Sequence, residues 1–104
     1  MSVARFADLV ARQPDNAMFR FSLAQALLRE NRREEALPQL QACADQKADW
    51  MVVRILLGQS LVKLGRRAEA RPWLEAALAL AVEQSHEDPE RELRAQLAEL
   101  DRAG

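Results

Sequence analysis

Residues 57–74 read LGQSLVKLGRRAEARPWL, and an imperfect copy, LAQALLRENRREEALPQL, occupies residues 23–40. The two stretches are offset by 34 residues, and over the longer windows 17–48 and 51–82 the residues are identical at 11 of 32 positions. Unrelated segments would share roughly two positions on ordinary residue frequencies. A fixed period of this length is typical of stacked structural units, so the chain is predicted to contain one supersecondary unit twice.

Apolar residues recur at helical spacing along the chain, and no segment shows the alternation of a strand. The spacing predicts about six helices, near residues 3–12, 17–30, 34–46, 50–64, 68–83 and 89–102. Ser2 is predicted to cap the first helix, and Asp88 to cap the last with Pro89 in its first position. Asn31 and Gly65 stand at equivalent places between helices, where both residue types tolerate a positive φ.

The repeated positions form a motif that includes alanine and leucine in both copies. The second copy reads Arg54-x2-Leu57-Gly58-x2-Leu61 followed by Ala70-x3-Leu74, and the first reads Arg20-x2-Leu23-Ala24-x2-Leu27 followed by Ala36-x3-Leu40. This motif resembles the tetratricopeptide repeat (TPR) family, in particular small bacterial-type TPR domains, whose pattern is W-x2-L-G-x2-Y, then A-x3-F, then P. Arginine replaces the tryptophan in both copies, and Ala48 and Val82 replace the closing proline.

The resemblance implies an all-α fold, an α-solenoid of antiparallel helix pairs that forms a TPR-like superhelix. One domain is expected over residues 1–104. It would comprise a leading half-repeat helix at 1–14, repeat 1 at 17–49, repeat 2 at 50–83 and a C-terminal capping helix at 88–103. Small residues at Ala24/Gly58, Ala36/Ala70 and Cys43/Ala77 are expected where paired helices cross. The capping helix is predicted to pack on the second helix of repeat 2, because a terminal unit needs its apolar face covered.

One stripe of the first helix in each repeat is apolar in addition to the face expected in the core. In the TPR family this stripe lines a concave groove that holds an extended peptide or a helix of a partner protein. The predicted groove consists of Met18, Phe21, Gln25, Leu28, Arg29, Val52, Ile55, Gln59, Val62 and Lys63. Two alternatives stay open: the chain's own helices cover the stripe, or a second copy binds there and forms a homo-oligomer. Heat-shock chaperone tails are not expected as ligands, because Phe21, Ile55, Gln25 and Gln59 stand on the stripe where family members that bind such tails carry lysine and asparagine.

A second surface is basic. Arg32, Arg33, Arg66 and Arg67 lie in equivalent turns and offer a weaker hypothesis of nucleic-acid binding. A domain with a net charge of −1 lacks the usual electrostatic footprint of such a protein. Arginines after a helix also complement the negative end of its dipole, which favours a stabilising role. Charge is uneven along the chain, since residues 82–104 carry seven acidic and three basic side chains.

The sequence offers little for catalysis. His86 is the only histidine, Cys43 the only cysteine, and no phosphate-binding glycine loop is present. We therefore predict a non-enzyme with no cofactor and no metal, whose partner is an unidentified protein or peptide. No apolar run approaches the ~20 residues that span a bilayer, so no membrane partner is expected. The start lacks the pattern of a signal peptide, and the predicted location is cytoplasmic.

Overall fold

The computed structural model describes residues 2–103, and this range contains six helices and no strand. The all-α fold predicted from the periodicity is therefore confirmed. The helices are α1 Val3–Arg12, α2 Ala17–Arg29, α3 Arg33–Gln46, α4 Met51–Lys63, α5 Arg67–Glu83 and α6 Glu87–Ala103.

Side-chain caps begin the first two helices. The Ser2 hydroxyl accepts from the Arg5 amide at 3.3 Å, as predicted, and the Asn16 side chain accepts from the Phe19 amide at 3.1 Å. The prediction for α6 was wrong in detail. This helix begins at Glu87, so Asp88 lies inside its first turn and does not cap it. The acidic first turn of α6 places negative charge at the positive end of the helix dipole.

Three helices end with a residue of positive φ. Asn31 has φ 62° and Gly65 has φ 79°, as predicted, and Ser85 after α5 has φ 58°. In each case the next amide donates back to a carbonyl five residues earlier. These bonds are Arg32 to Leu27 at 2.9 Å, Arg66 to Leu61 at 2.8 Å and His86 to Ala81 at 2.9 Å. Each of these bonds supplies a hydrogen-bond donor to a carbonyl group that has none within the helix, and the positive φ turns the chain toward the next helix.

The chain divides into two compact units, one ending at Val53 and one beginning at Arg54. In the N-terminal unit, α1 packs on α2 and α2 packs on α3. Its buried residues are Leu23, Ala24, Ala26, Leu27, Ala36, Leu40, Cys43, Ala44 and Val53. In the C-terminal unit, α6 packs on α5, which confirms the predicted contact of the capping helix. Leu93 of α6 is 1% exposed, and Arg71 of α5 pairs with Asp101 of α6 at 2.6 Å.

Small residues stand where the paired helices approach closely. A Cβ atom built on Gly58 of α4 would lie 2.5 Å from Cδ2 of Leu74 in α5, closer than carbon atoms can pack. Ala24, the equivalent of Gly58 in repeat 1, is fully buried, as are Ala36 and Ala70. The crossing positions therefore need small side chains, as the repeat pattern predicted.

Candidate partner-binding surfaces

The ten residues of the predicted groove lie on the first helices of the two repeats and fall in both compact units. None of the ten is buried. The N-terminal unit holds Met18, Phe21, Gln25, Leu28, Arg29 and Val52, and the C-terminal unit holds Ile55, Gln59, Val62 and Lys63. Each side chain is thus at least partly accessible to a partner.

In the N-terminal unit, Phe21 contacts an aromatic residue of its own chain. Its ring centroid is 4.8 Å from that of Trp50, and the ring planes are inclined by 39°. The Lys47 ammonium lies 5.9 Å from the centroid of the same indole. Pairs of this geometry contribute about 0.5–1.5 kcal/mol beyond the burial of their area. Phe21 is therefore held in place by the aromatic pair, with part of its surface still accessible.

Two exposed aliphatic side chains lie close in sequence to this aromatic pair. Met18 is 59% exposed and precedes Phe21 by three residues, which places both on one side of α2. Val52 is 43% exposed and follows Trp50 by two residues. Both side chains are therefore available for contact with a partner.

The C-terminal unit contains a cleft between α4 and α6 with a volume of about 370 Å³. Three of its lining residues belong to the predicted groove, and three come from the capping helix. They are Gln59, Val62 and Lys63 on α4, and Gln96, Glu99 and Leu100 on α6. The aliphatic groups of the two helices supply an apolar lining, and each helix adds one glutamine and one charged side chain. The cleft can hold an apolar side chain and hydrogen-bond the backbone that carries it.

Sequence reasoning did not assign Gln96, Glu99 or Leu100 to a site, because it treated α6 only as a cover for α5. No local pattern in the sequence indicates which side of α6 faces α4, because that depends on a contact between residues far apart in the chain. Leu93 and Leu100 are buried, while Gln96 and Leu97 are only partly exposed. Gln96 and the buried Leu100 both line the cleft opposite α4.

Both arginines at the tryptophan position of the motif connect the two helices of their repeat. Arg20 donates to the Pro14 carbonyl at 2.6 Å and to the Gln39 side chain at 3.0 Å. Arg54 lies over the ring of Trp73, with its guanidinium carbon 5.6 Å from the centroid. The arginines therefore have a structural use in each helix pair.

The turn arginines are bound to carboxylates of their own chain. Arg32 donates twice to Glu35, at 2.7 and 2.8 Å, and Arg66 donates twice to Glu69, at 2.6 and 2.9 Å. These hydrogen bonds lower the pKa of both carboxyl groups from the ordinary value of 4.5. Arg33 donates to the Asn31 side chain. The partners of Arg32 and Arg66 favour the stabilising interpretation over a site for phosphate.

The groups with reactive chemistry are dispersed. Cys43 is fully buried, its thiol donates to the Ala17 carbonyl at 3.4 Å, and burial raises the pKa of the thiol. His86 is exposed in the turn before α6. Over residues 2–103, histidine, cysteine and acidic side chains form no cluster of three suited to a metal ion. The same range contains no helix that is long and apolar enough to cross a membrane.

The solution structure of protein BPP2914 from Bordetella parapertussis matches this chain with a TM-score of 0.80 and 30% sequence identity. The match covers 99% of this chain and 90% of the Bordetella chain. The chain belongs to the same family as this Bordetella protein. No protein-family model and no curated protein matches the chain.

A second solved structure, the MamA RS-1 ArsTM double mutant, matches with a TM-score of 0.72 and 18% identity. The match covers 97% of this chain and 65% of the MamA chain. MamA contains tetratricopeptide repeats, and at this identity the likeness concerns the fold alone. This chain therefore has a TPR-like helical fold.

Proposed function

We propose that this chain is a TPR-type protein-interaction module, without enzymatic activity, that binds a peptide segment of a partner protein. The observation that carries the proposal is the cleft between α4 and α6, because it combines an apolar lining with hydrogen-bonding side chains on both walls. Its volume of about 370 Å³ lies within the range of sites that hold small ligands or single side-chain groups.

The chemistry of the cleft indicates the kind of segment it binds. Val62 and Leu100 accept an aliphatic or aromatic side chain, and Gln59 and Gln96 can each donate to and accept from a peptide backbone. Lys63 and Glu99 give the cleft one charge of each sign. A strongly acidic tail is therefore disfavoured, because Glu99 opposes the attraction that Lys63 alone would provide. The preferred ligand is an apolar segment with little net charge.

The test uses peptides selected on the wild-type protein from a random peptide display library. The variant Gln59→Arg/Gln96→Arg introduces two bulky like charges into the cleft and leaves the buried Leu93 and Leu100 unchanged. The matched control is Gln46→Arg, an exposed glutamine at the end of α3. Selected peptides should lose binding to the double variant and keep it with the control, at unchanged melting temperature. Equal binding to all three proteins, or no enrichment of any peptide, would refute the proposal.

Self-association is a second candidate, and the exposure of Met18 and Val52 favours it. Both are large apolar side chains that the N-terminal unit leaves exposed to solvent. In this case the protein would sediment as a dimer at micromolar concentration, and Met18→Glu/Val52→Glu would convert it to a monomer of the same helix content. If the wild type is still a monomer at about 100 μM, any dimer is too weak to be a specific assembly, and this candidate would be eliminated.

A further inference from the structure

The ion pair between Arg71 and Asp101 joins α5 to the capping helix α6. Its atoms, Nη2 of Arg71 and Oδ1 of Asp101, are 2.6 Å apart. Other ion pairs connect residues about one turn apart within α6, and they are Asp88–Arg91, Glu90–Arg94 and Glu99–Arg102. Pairs of that kind can stabilise the helix, but they do not fix its position. The Arg71–Asp101 pair does both, because it reaches a second helix.

The residue types at this ion pair are not explained by the helices that carry them. Asp101 lies in the last turn of α6, where the negative end of the helix dipole disfavours a carboxylate. Arg71 stands where repeat 1 has Leu37, so the pairing of two helices in a repeat does not require an arginine there. The contact between α5 and α6 gives both charged residues a use.

The ion pair and the cleft between α4 and α6 lie on opposite sides of the buried stripe of α6. Leu93 and Leu100 form this stripe, and they are 1% and 6% exposed. At about 3.6 residues per turn, Gln96 and Glu99 lie on one side of the stripe and Asp101 lies on the other. The first side lines the cleft, and the second faces α5. Asp101 therefore lies outside the cleft but directly follows Leu100, which is part of its wall.

The end of α6 is the part of this wall that is most easily displaced. Helix ends fray, because their last carbonyl groups have no donor within the helix. After Leu100, α6 continues to Ala103, and Asp101 and Arg102 are exposed. A displaced last turn would take Leu100 away from the cleft. Only molecules with this turn in place would then bind a ligand, so the apparent affinity falls with their fraction.

We propose that the Arg71–Asp101 ion pair holds the α6 wall of the cleft in the position that binds a peptide. This inference rests on the proposed function of the cleft, and it makes Arg71 and Asp101 positioning residues that do not touch the ligand. The pair is partly exposed, so its loss should change the dissociation constant about two- to fivefold. Salt screens such a pair, and ionic strength therefore regulates the site even for an uncharged ligand.

The probe is an end-capped, uncharged peptide from the display selection on the wild-type protein, titrated by calorimetry. Its Kd for wild type should rise about two- to fivefold between roughly 20 mM and 500 mM NaCl. The variant Arg71→Gln/Asp101→Asn keeps the cleft residues, and it should show the weaker affinity at both salt concentrations. The matched control is Arg94→Gln, which removes an ion pair within α6 and should bind as wild type does.

Charge reversal separates positioning from a general effect on helix stability. Asp101→Arg places a favourable charge at the negative end of the dipole, so a role in helix stability alone predicts unchanged or tighter binding. Positioning predicts weaker binding, and the addition of Arg71→Asp should restore the wild-type affinity. Amide hydrogen exchange of residues 96–103 reports on the wall without a ligand. It should be faster in Asp101→Arg than in wild type, and the double reversal should slow it again.

The outcomes distinguish this inference from the proposed function. Peptides that bind wild type and every ion-pair variant equally would overturn the inference and leave the proposed function intact. Unchanged or slower amide exchange in Asp101→Arg would overturn it as well. A library that yields no enriched peptide refutes the proposed function, and amide exchange then decides by itself whether the ion pair positions the end of α6.

Discussion

The guanidinium of Arg54 lies 5.6 Å from the ring centroid of Trp73, at the two positions where repeat 1 has Arg20 and Gln39. In repeat 1 the arginine donates a hydrogen bond of 3.0 Å to the glutamine. The two repeats therefore link their helices at one place by different chemistry, a cation over an aromatic ring in one case and a hydrogen bond in the other.

This relationship predicts an energetic coupling between Arg54 and Trp73. Denaturant unfolding of Arg54→Leu, Trp73→Leu and the double variant should give a coupling of about 0.5–1 kcal/mol, the usual range for a cation over an exposed ring. The cycle is needed because Arg54 also takes part in other interactions. Arg54→Leu combined with Gln46→Ala should be additive. Additivity of the Arg54 and Trp73 substitutions as well would show that the stacked geometry contributes nothing.

Gly58→Ala should destabilise the protein although alanine is the better helix former. The new Cβ would lie 2.5 Å from Leu74, so a fully buried side chain must move. Overpacking of this kind costs typically 1–3 kcal/mol, against a gain of about 1 kcal/mol in helix propensity. A net loss of up to about 2 kcal/mol should appear in denaturant unfolding.

A compensating change distinguishes a clash from a general loss of flexibility. Leu74→Val shortens the side chain that meets the new methyl group, so Gly58→Ala/Leu74→Val should be more stable than the sum of the single effects predicts. A Gly58→Ala variant more stable than wild type would contradict the close approach of α4 and α5.

The three residues of positive φ, Asn31, Gly65 and Ser85, differ in how much that backbone conformation costs their residue type. Ser85 holds φ 58°, which costs a residue with a Cβ atom roughly 1–2 kcal/mol, so Ser85→Gly should stabilise the protein by roughly 0.5–1 kcal/mol after the greater chain entropy of glycine is subtracted. Gly65→Ala should destabilise by about 1 kcal/mol, although open space surrounds the position, because the strain lies in the backbone. Gly65→Asn should cost less than Gly65→Ala, since Asn31 adopts the same conformation in repeat 1. Thermal melts rank the variants, and an order with alanine above asparagine would contradict the backbone explanation.

The helices and their turns could be predicted from sequence because their signals are local. Ser2 lies three residues before the amide that it caps, and Asn31 and Gly65 are residue types with a low cost at positive φ. Ser85 has no such preference, and only the return of the chain from α5 to α6 imposes its conformation. The early start of α6 was missed for a related reason. A proline is tolerated anywhere in the first turn, so Pro89 did not fix the first residue.

The candidate sites were predictable only in part, because contacts distant in sequence decide them. The repeat placed Gln59, Val62 and Lys63 on one stripe, but nothing in the sequence indicated which residues of α6 stand opposite them. Phe21 was assigned to a binding stripe, and its contact with Trp50 spans 29 residues and has no counterpart that the period reveals. At the first helix the repeat allows a direct comparison, since Phe6 is partly exposed whereas its equivalents Leu40 and Leu74 are fully buried.

Cys43 should be inert in the native protein and should affect stability only at alkaline pH. Burial raises the pKa of its thiol from the ordinary value of 9.0, so the folded state favours the protonated form. The unfolded chain loses this proton first, and the thiol's contribution is therefore present below about pH 9 and declines as pH rises beyond it. Between pH 7 and pH 10 the free energy of unfolding should fall more for the wild type than for Cys43→Ala. Alanine is a suitable replacement because Ala77 occupies the equivalent position of repeat 2 and is fully buried.

Ellman's reagent should react with native Cys43 only as fast as the protein opens, whereas a Gln46→Cys/Cys43→Ala control, with its thiol at an exposed position, should react at once. Rapid labelling of native wild type would show that the thiol is accessible and that the α2–α3 pair is looser at Ala17 than the 3.4 Å hydrogen bond indicates.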